Sequence, residues 1–232
     1  MTAALSADAL AAMALSVGAF HVGCLAYRRS RNHPLCHPIA VAVVLVIAVL
    51  LASGISYERY FAGAWIIHAL LGPAVVALAL PLYRNLAMIR SATVPILAGI
   101  AVGATTGSVT AIAIARLLHA PLDIVVSVSS KSATAAVSME LANSLGGIPA
   151  LAGVVTVLTG IITAALGPLA LDLAGIRAKA ARGIAMGVTG HGLATARALA
   201  DDDEAGAYAG LAMGLTAVLT AVGLPILWRL GM

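Results

Sequence analysis

Apolar residues run through this chain in blocks of helix length. Ala9–Tyr27, Pro38–Tyr57, Tyr60–Tyr83, Ser91–Ala115, Leu141–Leu171 and Ala205–Trp228 contain no Asp, Glu, Lys or Arg, and each could cross a hydrocarbon core about 30 Å thick as a helix. The alternating segments of about ten residues that a transmembrane barrel requires are absent, so the pattern predicts an all-α polytopic membrane protein. Polar breaks at residues 28–31, 57–59, 84–90, 119–121, 145–147, 177–182 and 201–204 leave eight apolar segments. If all eight crossed, the basic loops 28–31 and 177–182 would lie on opposite sides, against the cytoplasmic preference of Lys and Arg. The fifth segment, residues 122–145, is the one expected to fold back, because Asp123, Lys131 and Glu140 divide it into uncharged pieces of seven and eight residues. About seven transmembrane helices plus this re-entrant or broken segment remain. Loops 28–31, 84–90 and 177–182 then face the cytoplasm, residues 57–59 and 201–204 face outward, the N-terminus is out and the C-terminus in.

The seventh segment should also be interrupted. Only fourteen uncharged residues separate Arg182 from Arg197, among them Gly183, Gly187, Gly190, His191 and Gly192. Pro95-Ile96-Leu97-Ala98-Gly99 resembles Pro149-Ala150-Leu151-Ala152-Gly153, and helices entering from opposite faces with such similarity suggest inverted repeats of discontinuous helices. A second offset competes with it, since Ala133-Thr134-Ala135 matches Ala194-Thr195-Ala196.

Composition places the whole chain, residues 1–232, in one transmembrane domain. It is 62% hydrophobic and only 9% charged, against about 25% charged in soluble domains, and its mean hydropathy is +1.06. The net charge of +4 comes mostly from loop arginines, so it bears on orientation rather than on nucleic acid. No Lys or Arg precedes Arg28, which argues against a cleaved signal peptide and for retention of the first helix. Cys24 and Cys36 match no metal or redox spacing, and neither a zinc-protease motif nor a nucleotide-binding loop occurs. Neither a cofactor nor a metal is expected, and the chain is not expected to be an enzyme.

Two stretches carry polar chemistry inside apolar surroundings. An ionisable side chain at a helix centre costs about 2.5–3.5 kcal/mol on insertion scales, so one that persists usually faces a cavity or partner. Lys131, Thr134 and Ser138 would share a face of one continuous helix, while Glu140 would point to the opposite side. Lys131 is thus available to a small anion; the plainer alternative is that Lys131 and Glu140 snorkel to the two surfaces. Ser127, Ser129, Ser130, Ser132, Thr134, Ser138, Asn143 and Ser144 crowd the same stretch, and hydroxyls suit either a substrate path or a freed backbone. In the second stretch, glycines around His191 let the backbone unwind, His191 and Thr195 are four residues apart, and Arg197 adds fixed positive charge. Two half-helix N-termini with Lys131 and Arg197 would hold an anion at the midplane. Here the alternative is a packed His191 and an Arg197 serving as a last-turn cation beside the acidic loop.

The run Leu71–Tyr83, Lys131-Ser132-Ala133-Thr134 with Met139-Glu140, Gly146-Gly147-Ile148-Pro149, Leu158-Thr159-Gly160 and Gly190-His191-Gly192-Leu193-Ala194-Thr195-Ala196-Arg197 together resemble the LrgB/CidB family of holin-like and antiholin-like membrane proteins. The resemblance implies a bacterial cytoplasmic (inner) membrane location, a smaller LrgA/CidA-like membrane partner and a homo-oligomer. It also implies kinship with plastid glycolate/glycerate transporters and with carriers built from inverted repeats. The function expected is a secondary carrier or facilitator of a small monocarboxylate anion. The alternative is a holin/antiholin-like protein controlling murein hydrolase activity or membrane permeability. Residues carried over are Lys131, Ser132, Thr134, His191, Thr195 and Arg197 for substrate, with Glu140 or His191 as proton carrier. Ser130 and Ala136 stand where the family pattern has proline, which leaves the break near Lys131 either softer or dependent on hydroxyl contacts.

Overall fold

A computed structural model describes residues 7–30, 36–70, 73, 83, 87, 90 and 93–229. Backbone contacts divide the chain into two compact units, Met1–Ala77 and Leu78–Met232. In the first, α1 (Ala7–Arg29) packs against α2 (Pro38–Ser53) and α3 (Tyr57–Ala69). Close approach depends on missing side chains: a Cβ on Gly23 would strike the Pro38 carbonyl, and one on Gly63 would lie 2.8 Å from the Ala12 Cβ. Ser16 Oγ and the Tyr60 hydroxyl, 2.7 Å apart, and an Arg59–Asp8 ion pair at 3.0 Å fix α3 on α1. Pro38 opens α2 at its first turn, where its missing N–H costs nothing, and Gly54 ends it in the left-handed conformation.

The second unit contains α4 (Thr93–Leu117), α5 (Leu122–Ser129), α6 (Ala135–Leu145), α7 (Pro149–Leu173), α8 (Lys179–Asp201) and α9 (Asp203–Arg229). Two of its segments reverse direction. A straight α8 of 23 residues would extend about 35 Å, yet Lys179 Nζ lies 2.7 Å from Asp202 Oδ2. The reversal is at His191, whose φ of 39° and ψ of −133° break the helix into two antiparallel arms. α5 and α6 form the other hairpin: Val125, Val128, Val137, Leu141 and Leu145 share one apolar cluster. Ile148 N, just past α6, donates to Ser127 Oγ on α5 at 2.7 Å.

The two hairpins enter from opposite ends of the unit. Along α4, Ile96 and Ile100 pack with Val188 of α8, Gly107 faces Ser132, and Ile112 and Ala115 pack with Val125 and Leu141. Along α7 the order is the mirror image: Gly153 meets Met139, Thr156 meets Ser138, Gly160 meets His191 and Gly167 meets Met186. Both tips therefore lie beside the middles of α4 and α7. Each of these helices is 25 residues long, and each is followed by a hairpin, so α4 to α8 form two helix-plus-hairpin repeats of opposite orientation. α9 runs alongside, its start against the base of the α8 hairpin and its end at Arg116 of α4, whose guanidinium lies 5.9 Å over the Trp228 ring.

Two expectations from the sequence change. Residues 177–182 and 201–204 were expected on opposite sides, but the Lys179–Asp202 pair puts them at the same end. The cause is that the seventh segment, instead of running on to the other end of the unit, bends back at His191. Since α9 starts at that end, its last residue, Arg229, lies opposite residues 177–182, not with them. Among the described residues α1, α4, α7 and α9 are long and apolar enough to cross a bilayer, and α2 is a shorter apolar helix. Most of the Leu71–Tyr83 run falls outside the described residues.

Candidate functional site

The tip of the first hairpin is a five-residue break, Ser130–Thr134, between α5 and α6. Breaking a helix frees backbone groups that apolar surroundings cannot satisfy, and here hydroxyls take them up. Ser129 Oγ donates to the Val126 carbonyl at 2.6 Å, Ser138 Oγ to the Ser130 carbonyl at 2.5 Å, and Thr134 caps α6 by accepting from Val137 N at 3.4 Å. Local hydroxyls thus do what prolines at 130 and 136 would otherwise assist. Lys131 is half-buried at this tip, its Nζ donating to Ser132 Oγ at 3.4 Å. Among the described residues no carboxylate lies within ion-pair distance of it.

The second tip is a single residue. His191 takes a positive φ that side chains other than glycine rarely adopt, a conformation costing of order 1–3 kcal/mol, and two contacts hold it there. Its Nε2 is 2.8 Å from the Thr156 carbonyl; because a carbonyl only accepts, Nε2 carries the proton and Nδ1 is the nitrogen left to gain or lose one. Its ring also rests on Gly160, where a Cβ would come within 2.7 Å of Cε1. Both tips reach the same stretch of α7, the first through Ser138 on the Thr156 hydroxyl and the second through His191 on the Thr156 carbonyl and Gly160. The tips also bring together the starts of two half-helices, α6 and the second arm of α8, whose N–H groups favour negative charge.

The remaining predicted residues are not all at this meeting point. Ser132 is buried against Gly107, 3.1 Å from where a Cβ there would be. Thr195 is fully buried on the α9 side, its hydroxyl donating to the Ala209 carbonyl at 3.4 Å. Arg197 lies down the second arm, with Nε donating to Asp201 Oδ2 at 2.9 Å and Oδ1 at 3.1 Å. Glu140 is exposed on α6. Sequence reasoning did not single out Thr156, one of three threonines on α7, which links both tips. A cavity of about 700 Å³ lies elsewhere, in the first unit between α1, α2 and α3. Its walls, including Phe20, Val43, Ile47, Tyr57 and Tyr60, contain no charged group that could hold an anion.

Residues 16–230 match the LrgB-like family. The chain belongs to the LrgB family. Relatives include the uncharacterized protein YxaC of Bacillus subtilis, 37% identical over 80% of this chain and 81% of its own length. The holin-like protein CidB of Staphylococcus epidermidis is 34% identical over 84% of this chain and 86% of its own. CidB of Staphylococcus aureus shares 34% over 84% and 85%. No solved structure matches this LrgB-family chain.

Proposed function

We propose that this LrgB-family protein controls the permeability of a bacterial cytoplasmic membrane, and that it does so as a carrier of small monocarboxylate anions such as glycolate, glycerate or pyruvate. The broader statement is supported by the holin-like naming of its staphylococcal relatives. The finer one is carried by one observation: Lys131 stands half-buried and, among the described residues, without a carboxylate partner at the break of one hairpin, facing the same stretch of α7 as the His191 tip of the other. A carboxylate between the tips would meet the Lys131 ammonium, the Ser132 and Thr134 hydroxyls and the first N–H groups of the half-helices. Alternating exposure follows if one hairpin withdraws while the other stays, because they open toward opposite ends. No covalent chemistry is assigned to the site.

In this reading His191, and not the exposed Glu140, carries any coupled proton. Arg197 neutralises Asp201 at the hairpin base, and Thr195 anchors the arm to α9. The end bearing Arg90, Arg177, Lys179 and Arg182 faces the cytoplasm by the positive-inside preference. A smaller LrgA/CidA-like membrane protein is the proposed partner. The second reading, a holin-like permeability factor that binds no solute, is favoured by the relatives' names alone.

Counterflow of labelled glycolate and pyruvate into proteoliposomes, with and without an LrgA-like partner, separates the two. The carrier reading expects saturable counterflow that Lys131→Ala abolishes. Size-unselective leakage, unchanged in Lys131→Ala, would leave only the holin-like reading.

A further inference from the structure

Thr156 occupies a helix that offers hydroxyls an easy way to satisfy themselves. Thr159 donates to the Val155 carbonyl at 2.8 Å and Thr163 to the Thr159 carbonyl at 2.7 Å, both four residues back along α7. Thr156 does otherwise. Fully buried, it donates sideways to Ser138 Oγ on α6 at 2.9 Å. Ser138, also fully buried, passes over the carbonyl four residues back and donates to Ser130, across the break. Meanwhile the Thr156 carbonyl receives His191 Nε2 from the other hairpin, through a gap kept open by Gly160.

We infer that Thr156 is a positioning residue that sets the two hairpin tips relative to each other. The chain His191–Thr156–Ser138–Ser130 is continuous and buried: side chain to carbonyl, then hydroxyl to hydroxyl to carbonyl. A shift of the His191 ring acts on α7 at residue 156, and the same residue's hydroxyl holds the Ser130 end of the break that carries Lys131. The two tips are therefore not independent, and a solute held at one is registered at the other. Only this last consequence, for transport, rests on the carrier reading; the bonding can be tested without solute.

The test is amide hydrogen exchange of residues 128–138 in detergent-purified protein, without solute, for wild type, Thr156→Val, Thr156→Ser, Ser138→Ala, His191→Ala and the Thr156→Val/His191→Ala double variant. Thr156→Val keeps the shape and removes the hydroxyl, and is expected to speed exchange at the first tip about fivefold, the effect of one lost hydrogen bond. Ser138→Ala removes the same bond from the other side and should match it, while Thr156→Ser restores wild-type exchange. His191→Ala should also speed exchange at residues 128–138, though it lies in the other hairpin, and the double variant should add little to Thr156→Val. The inference is overturned if Thr156→Val and Ser138→Ala exchange like wild type, if Thr156→Ser is as fast as Thr156→Val, or if His191→Ala leaves residues 128–138 untouched. Counterflow in the same variants is a separate readout: exchange as expected without any counterflow would sink the carrier and leave the coupling of the tips standing.

Discussion

The two re-entrant hairpins reach the same shape by different chemistry. The first spreads its reversal over Ser130–Thr134 and satisfies the freed backbone with Ser129, Thr134 and Ser138 hydroxyls. The second concentrates it in His191, between glycines, and accepts a strained residue. Their bases differ too. The first is closed by an apolar cluster and the Ile148–Ser127 bond. The second is closed by charge, Lys179 with Asp202 and Glu204, while Arg182 ties its first arm to the end of α7 through Asp172 and the Ile176 carbonyl. A hydroxyl-rich tip can exchange its internal bonds for bonds to a solute, whereas a pinched tip moves as a unit. In the proposed carrier, this assigns binding to the first hairpin and gating to the second.

The largest effect that would sharpen this contrast is steric. A Cβ on Gly187 would fall on the Ala209 carbonyl of α9, backbone that no rotamer change can move. Gly187→Ala should therefore force the hairpin off α9 and lower thermal stability by about 1–3 kcal/mol or more, visible as a lost or early unfolding transition in detergent. A Cβ on Gly146, at the base of the first hairpin, meets nothing within 4 Å, so Gly146→Ala should cost only the strain of its φ of 82°, of order 1 kcal/mol. Equal losses would erase the distinction between a hairpin packed backbone to backbone and one held by side chains.

Ion pairs at the second base should matter less. Arg182 is three-quarters buried and bonds Asp172 at 2.7 Å and the Ile176 carbonyl at 2.9 Å, so Arg182→Ala should lower stability by about 1–2 kcal/mol. Lys179 is more exposed, and Lys179→Ala should produce a smaller change that shrinks further with salt.

The smallest effect is the pH response of that base. A hydrogen bond and charge from Lys179, with help from the Ala205 and Glu204 N–H groups, hold the Asp202 carboxyl below the usual range. Its folded-state value lies below its unfolded value of about 3.9, so its stabilisation is complete above that value and fades as pH falls through the folded one. Exchange at residues 179–182 and 201–205, corrected for intrinsic rate, should be flat from about pH 5 to 8. A marked opening within that window would assign the base to another titrating group.

Much of this was legible in the sequence, and the gaps have physical causes. The crowd of hydroxyls around Lys131 and the glycines around His191 announced two interruptions, because each is costly in a plain membrane helix. A break, however, does not declare its angle. Nothing local in residues 183–196 distinguishes a kinked crossing from a full reversal, so Asp201–Glu204 was assigned to the other side. Arg197 suggests a fixed charge for an anion, yet its alternative as a last-turn cation beside the acidic loop has the spacing behind it, since Asp201 lies four residues on, where helical side chains pair. Thr156 was passed over because a single threonine in a run of Ala, Val and Leu resembles its neighbours Thr159 and Thr163; only the packing of α6 and α8 on α7 separates it from them.

The central claim is that residues 179–201 enter and leave by the same end while residues 122–145 enter from the other. Single cysteines at Lys179, Asp203 and Asp123, in a background where Cys24 and Cys36 are serine, can be labelled with a membrane-impermeant maleimide in vesicles of defined orientation. Labelling of 179 and 203 from the same side, with 123 reached only from the opposite side, is the predicted result. Labelling of 179 and 203 from opposite sides would mean that the segment crosses, and would contradict the account.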